Sequence, residues 1–300
     1  MAVATACAVA TAGCGLGAGA GTSDVTLVVT RDFGSGVIGR VTARRVPGSE
    51  TVMRMLERSF SVGTRYGGGF VESIDGRSGT AGRRDWFYYV NGIEAARGAA
   101  ATAVHRGDRI WWDLHDWSGA RDTPAVVGSF PEPFIHGIGG RRLPTALECA
   151  ADAVEACALV TDELGKLRVP VASQLIGTGS GSDSLALEVG TWRDLRGQIV
   201  TSLLDQGPAS SGVFARFTDK GARLELLDPR GAVVRTLGPG AGLVAATAQG
   251  SSVPTWLVTG TDRAGVRAAA AALNPAALDG HFALAVTGHE ALALPLEPAR

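Results

Sequence analysis

The chain has 300 residues, with 28 basic and 29 acidic side chains and a formal net charge of -1. That balance excludes a protein that binds nucleic acid or an anionic membrane surface through bulk charge alone. Hydrophobic residues make up 45% of the sequence, which excludes wholesale disorder, and no run of about 20 strongly apolar residues predicts a membrane-spanning helix.

Residues 1–23 are typical of an export signal followed by a flexible tether. They are small and weakly apolar, and the basic start that a signal peptide usually has is missing. The segment Thr11–Cys14 (TAGC) resembles a bacterial lipobox, although Thr11 stands where Leu is usual. We therefore predict an actinobacterial-type lipoprotein that is extracytoplasmic and held on the membrane only by a lipid on Cys14. An Ala/Gly-rich disordered start with an incidental cysteine is the alternative.

The two cysteines outside this segment are Cys149 and Cys157, an even pair in a compartment predicted to be oxidising. One continuous helix would hold their thiols about 12 Å apart, too far for a bridge. A disulfide therefore requires Cys149 to end a strand and Cys157 to lie in the first turn of a helix, which the sequence allows. Two buried free thiols are the alternative.

Residues 24–120 are predicted to form one compact domain. The stretch Asp24–Thr30 alternates apolar and polar side chains, which indicates a strand, and Val37–Arg45 follows as a strand or loop. Ser49 is a plausible N-cap for a helix that carries apolar residues at helical spacing. Later, an aromatic strand, Asp85–Val90, runs into Asn-Gly, the preferred pair for a tight hairpin.

Four motifs occur in order in this domain: TVMRMLERSF, GGGFVESIDG, DWFYYVNGIEA and HRGDRIWWDLHDW. Together they cover about residues 47–117. This combination resembles the bacterial β-grasp domain of unknown function that is related to the C-terminal domain of transcobalamin and intrinsic factor. The resemblance implies a small mixed sheet on one helix, in an exported protein. In the vitamin B12 carriers this domain closes over the corrinoid, so cobalamin is the cofactor that the resemblance implies, although no cofactor is certain.

The last strand of this domain supplies the first candidate ligand-binding residues. By its period of two, Ile110, Trp112 and Leu114 share one face, which we predict to be the core face. Trp111, His115 and Trp117 share the other and form an aromatic surface suited to a planar ligand, a sugar or a partner protein. Burial of that face beneath the second domain, or a purely structural role, is the alternative.

The loop Gly67–Phe70 supplies the remaining candidates. Gly68 and Gly69 let a backbone approach a ligand closely, and Phe70 adds an apolar contact; a flexible loop before a strand is the alternative. Asp113 and His115 are two residues apart on one strand face, but no third ligand is evident nearby, so no metal site is predicted.

The second half carries no motif that identifies its function. Residues 121–140, rich in Pro and Gly, are predicted to be a linker, and residues 141–300 alternate strand and helix signals, which predicts a separate α/β domain and an α+β chain overall. The glycine-rich segment Gly177–Ser184 lacks the ending of a phosphate-binding P-loop, and no nucleophile elbow, zinc motif or paired-carboxylate constellation is apparent. We therefore expect a non-enzymatic protein. Its partner is a small molecule or an envelope protein; a structural lipoprotein without a small ligand, or an extracytoplasmic enzyme using the second domain, is the alternative.

Overall fold

Alternating apolar residues build the first sheet. The computed structural model describes residues 24–297, so Cys14 and the predicted export segment lie outside the described residues. Val25, Leu27 and Val29 of the first strand are fully buried. The first part of the chain consists of one helix and eight strands: β1 (Val25–Arg31), β2 (Gly36–Ala43), α1 (Val52–Ser59), β3 (Val62–Arg65), β4 (Phe70–Ile74), β5 (Arg77–Ser78), β6 (Arg84–Val90), β7 (Ile93–Glu94) and β8 (Arg109–Asp116).

Five of these strands form a mixed sheet in the order β2-β1-β8-β6-β7, and the other three form a small antiparallel sheet. The central pair, β1 and β8, is parallel. Helix α1 buries four apolar side chains in one core with Ile110, Trp112 and Leu114 of β8, as their spacing predicts. The helix is capped by Thr51, whose hydroxyl accepts from the Arg54 amide at 3.3 Å, and not by Ser49. The predicted hairpin is present, with positive φ at Asn91 and Gly92.

The second part has ten strands and five helices, which makes the chain an α+β protein. These elements are β9 (Thr145–Cys149), α2 (Val154–Lys166), β10 (Val171–Leu175), β11 (Leu185–Thr191), α3 (Ile199–Asp205), α4 (Pro208–Ser211), β12 (Ala215–Thr218), β13 (Arg223–Leu227), β14 (Val233–Leu237), β15 (Gly242–Thr247), β16 (Thr255–Gly260), α5 (Arg263–Ala272), α6 (Pro275–Leu278), β17 (Ala283–Thr287) and β18 (Glu290–Leu294).

A seven-stranded sheet, in the order β10-β9-β11-β16-β15-β17-β18, forms the middle layer of this part. Strands β10, β9, β11 and β16 are parallel, and β15 begins the antiparallel end. Helices α2 and α5 pack in one core on the first face, and α3 packs with the small sheet β12-β13-β14 in a second core on the other face. None of the helices within residues 24–297 is long and apolar enough to cross a membrane.

The predicted linker, residues 121–140, is built into the fold. Phe130 and Phe134 are fully buried, and both rings contact Trp256 of β16, with centroids 5.7 and 5.1 Å away. Val126 packs between the two parts of the chain. These apolar side chains, which the Pro/Gly content of the segment conceals, make it part of the core.

The predicted disulfide between Cys149 and Cys157 is confirmed. Cys149 ends β9 and Cys157 lies in the first turn of α2, with their Cα atoms 6.3 Å apart. The turn between strand and helix folds the chain back, which is why residues that a straight helix would separate can be joined.

Candidate functional site

The aromatic face of β8 is covered by the second part of the chain. Trp111 and His115 are only 4% and 2% exposed. Phe282, which precedes β17, inserts against both of them, with ring centroids 5.2 and 5.4 Å away, and also contacts Tyr89 at 5.5 Å. The expectation that Trp111 and His115 form an open surface is therefore corrected, because the chain itself supplies the ring that packs on them.

A polar network fixes this covered face. The Asp113 carboxylate is fully buried and accepts hydrogen bonds from the backbone amides of Phe33 and Gly34 at 3.0 and 2.9 Å. It also accepts from the Thr30 hydroxyl and lies 2.9 Å from the His115 Nδ1 atom. These contacts tie Asp113 and His115 into the packing of the covered face. No group of three or more metal-ligating side chains occurs among the described residues.

Trp117 lies apart from this face and lines a cleft beside β6. The cleft has a volume of 390 Å³, within the range of small-molecule sites, and also contains Gly69 and Phe70. The structure thus brings Trp117, Gly69 and Phe70 together, whereas Trp111, His115 and Gly68 are not among its lining residues. We call this feature the β6 cleft.

The β6 cleft exists because β7 is short. Only Tyr89 and Val90 of β6 pair with β7, so among the described strands none pairs with residues 85–88 on that side. The carbonyl of Tyr88 accepts one hydrogen bond from Ala95 at 3.1 Å. Residues 85–88 therefore form a wall that offers backbone groups as well as side chains.

Six aromatic residues line the cleft: Phe70, Trp86, Phe87, Tyr88, Trp112 and Trp117. Phe70 is 40% exposed, Trp117 is half-buried, and Phe87 stacks on His115 at 4.5 Å. Deeper in the cleft, Tyr88 stacks on Trp112 at 4.7 Å. Stacked and half-exposed rings suit a planar or apolar ligand.

Trp112 also offers an unused hydrogen-bond donor. Its indole Nε1 is buried and has no hydrogen-bond acceptor among the described residues, although the side chain lines the cleft. Neighbouring Trp86, on the same face, donates its Nε1 to the Arg77 carbonyl at 3.1 Å. Buried donors are normally paired, so the free N–H marks a place where a ligand acceptor would be stabilised.

Charged groups of both signs surround the aromatic surface: Asp85, Glu94, Arg97, Arg121 and Asp122. The pKa of Glu94 is raised to about 7, chiefly by burial and to a smaller extent by the nearby Asp122, while the Thr123 amide that donates to its carboxylate opposes the rise. Glu94 therefore changes charge near neutral pH.

The sequence analysis missed Glu94, Phe87 and the free N–H of Trp112. Trp112 was assigned to the core by its strand position, which is correct, but the shortness of β7 opens that core at one side. The sequence signal for this opening is that the strand after Asn91-Gly92 is only two residues long. A longer strand would have covered β6.

Part of the chain matches a known family. Residues 49–116 match the family described as Domain of unknown function (DUF4430), within the segment that the four sequence motifs single out. The matched segment contains β6, β7 and β8 but neither β1 nor β2.

Two solved structures are similar to about a third of the chain at low identity. One is a “putative metal binding protein” from Ruminococcus gnavus ATCC 29149, at 15% identity and a TM-score of 0.26, with 31% of this chain and 97% of that chain covered. The other is haptocorrin in complex with Cbi, at 15% identity and a TM-score of 0.26, with 31% of this chain and 25% of that chain covered. No curated protein matches the sequence.

Proposed function

We propose that the protein is an exported, lipid-anchored cell-envelope protein that binds a small ligand in the β6 cleft and catalyses no reaction. The observation that supports ligand binding most directly is the buried, unpaired N–H of Trp112, a residue that lines a cleft with half-exposed rings. Trp117 and Phe70 supply the apolar contact and the Trp112 N–H supplies one directed hydrogen bond. This combination of apolar surface with few placed polar groups is typical of ligand sites.

A corrinoid is the specific ligand that the family resemblance implies. The peripheral amides of a corrinoid carry both donors and acceptors, which suit the Trp112 N–H and the guanidinium groups of Arg97 and Arg121. A corrinoid is larger than the drug-sized ligands that clefts of this volume hold, so one edge of the macrocycle would enter the cleft and the rest would lie across its mouth.

Titration with cyanocobalamin and with dicyanocobinamide tests the corrinoid version. We expect tryptophan quenching in the wild type, at least tenfold weaker binding in Trp117→Ala, and unchanged binding in Tyr66→Ala. Tyr66 is a matched control because it is 88% exposed and is not among the residues that line the cleft. Absence of quenching at high concentration of both compounds discards the corrinoid. A thermal-shift screen of small molecules then tests the general proposal, since a bound ligand raises stability by mass action.

The lipid anchor has its own test. Labelling of the expressing cells with a palmitate analogue is expected to mark the wild-type protein, and Cys14→Ala is expected to abolish the label. Labelling that persists in Cys14→Ala would overturn the assignment of Cys14.

A second candidate function is recognition of an envelope protein. The unpaired edge of β6 favours it, because an extended peptide can add to such an edge through backbone hydrogen bonds. A photocrosslinking residue at Phe70 separates the two functions in cells. Adducts of protein mass would favour the partner protein. The small-ligand proposal predicts no protein adduct whose formation depends on the cleft.

A further inference from the structure

Two glutamates lie side by side in the sheet of the second part. Glu148 of β9 and Glu188 of β11 are direct partners in a parallel strand pair, so both side chains point to the same face. That face is opposite the one that packs against α2, because Leu147 and Val189, at the alternate positions, belong to the α2 core. Sequence analysis found no paired carboxylates, and the fold corrects this: the pair forms across strands, 40 residues apart.

The two carboxyl groups line a cavity of 310 Å³. Its opposite wall is formed by apolar side chains of α3, namely Ile199, Val200 and Leu203. Residues 179–181, from the glycine-rich loop to which sequence analysis assigned no function, also line it. The cavity therefore has one anionic wall and one apolar wall.

Among the described residues that line the cavity, none is a cation that could pair with these carboxyl groups. Of the described residues that line the cavity, Glu148 and Glu188 alone carry ionisable side chains. Gln174 Nε2 donates to Glu148 Oε1 at 3.1 Å, but the Glu188 Oε2 atom is buried without any hydrogen-bond partner in the described part of the chain. Glu188 as a whole is 93% buried, its exposed fraction being 7%. Burial, together with the charge of Glu148, raises the pKa of Glu188 to about 8.

We propose that this cavity binds an organic ammonium ion, with the charged nitrogen at Glu148 and Glu188 and the aliphatic portion against α3. An ammonium nitrogen carries N–H donors that satisfy the free Glu188 oxygen, and its charge offsets a carboxyl pair that is otherwise costly to bury. The cavity is larger than a bare metal ion needs. Calcium takes six to eight oxygen ligands, more than this pair and Gln174 supply.

Binding is expected to release a proton. At neutral pH Glu188 carries its proton, and an incoming ammonium ion stabilises the carboxylate, so the carboxyl O–H bond breaks and the proton leaves to the buffer. Glu148 is the one other titratable group that faces Glu188 across the described lining of the cavity. Affinity should therefore rise with pH through the neutral range.

Isothermal titration of the full chain with n-butylammonium chloride tests the proposal, with n-butanol as the neutral probe of equal shape. We expect n-butylammonium to bind and n-butanol not to bind. Heats measured in two buffers of different ionisation enthalpy should report proton release. Glu188→Gln is expected to weaken binding at least tenfold. Glu163→Gln, the same substitution on the outer surface of α2 beside Lys166, is expected to leave it unchanged.

The control experiments separate the remaining outcomes. Circular dichroism should show that Glu188→Gln remains folded, and Glu148→Gln provides a second variant at the same site. No binding of n-butylammonium to the wild type, or equal binding to Glu188→Gln, overturns the proposal. Binding of calcium chloride in place of n-butylammonium would assign a metal site and overturn the organic ligand. Trp117→Ala should not affect this site, so failure here is distinct from failure of the β6 cleft.

Discussion

The phenyl ring of Phe282 packs edge-on against the indole of Trp111, with ring centroids 5.2 Å apart and planes at 76°. This contact joins the first sheet to the second part of the chain. Edge-to-face pairs of this kind add to the stabilisation that burial alone provides. The aromatic face of β8 is thus an internal interface.

We expect Phe282→Ala to lower the free energy of unfolding by about 3 kcal/mol, because it leaves a cavity among four aromatic rings. Urea unfolding followed by fluorescence measures this change. Val233→Ala, at a position that is 48% exposed, should change stability by less than about 0.5 kcal/mol. Equal effects of the two substitutions would contradict the role assigned to Phe282.

Asp113→Asn should destabilise the protein by about 2 to 4 kcal/mol. The Asp113 carboxylate accepts hydrogen bonds from the backbone N–H groups of Phe33 and Gly34. After the substitution, the side-chain NH₂ group would face one of these N–H groups, and that hydrogen bond would be lost. Chemical denaturation is the measurement, with Asp219→Asn at an exposed position as the control. A value for Asp113→Asn within error of the control would show that the network contributes little.

Trp112→Phe and Trp86→Phe should differ in stability although both indoles lie on the same sheet face. Trp86→Phe breaks the hydrogen bond to the Arg77 carbonyl, whereas Trp112→Phe removes a donor that has no acceptor in the described structure. Trp86→Phe should therefore cost about 1 kcal/mol more. Thermal unfolding of both variants without ligand measures the difference. The reverse order would mean that the Trp112 N–H is already satisfied.

Glu188→Gln should stabilise the protein, and more so at high pH. The folded-state pKa of Glu188, about 8, lies above its ordinary value of 4.5. The contribution of Glu188 to the stability of the folded state is therefore fully present below pH 4.5 and is lost progressively as the pH rises to about 8. Each pKa unit corresponds to about 1.4 kcal/mol, so the loss is on the order of 5 kcal/mol.

Melting temperatures measured from pH 5 to pH 8.5 check this prediction. The difference between Glu188→Gln and wild type should grow with pH. A difference that is flat with pH would place the titration of Glu188 outside this window.

Local chemistry made much of the fold predictable. Asn91-Gly92 predicted a hairpin because both turn residues need positive φ, and both have it. The disulfide was predictable because eight residues can be bridged only across a strand–turn–helix. Asp262 precedes α5, and an aspartate in that position is expected to cap a helix; its side chain accepts from the Gly265 amide at 2.9 Å.

The site was less predictable because it depends on distant contacts. Trp117, Gly69 and Phe70 were identified from their own neighbourhoods, but the burial of Trp111 and His115 depends on Phe282, which no pattern in β8 reveals. The carboxyl pair did leave a signal. Both strands contain the triplet Ala-Leu-Glu, at residues 146–148 and 186–188, and a glutamate inside an apolar strand is unusual.

The buried segment around Phe130 and Phe134 means that the two halves of this chain are not interchangeable modules. A cut before residue 121 would separate Phe282 in the second half from Trp111 in the first. A cut after residue 140 would separate Trp256 from the two phenylalanines that pack on it. Either fragment would expose apolar surface to water and be prone to aggregate. We therefore expect residues 24–297 to be more stable as one piece than either half alone, although the segment that resembles a family is only a fraction of them.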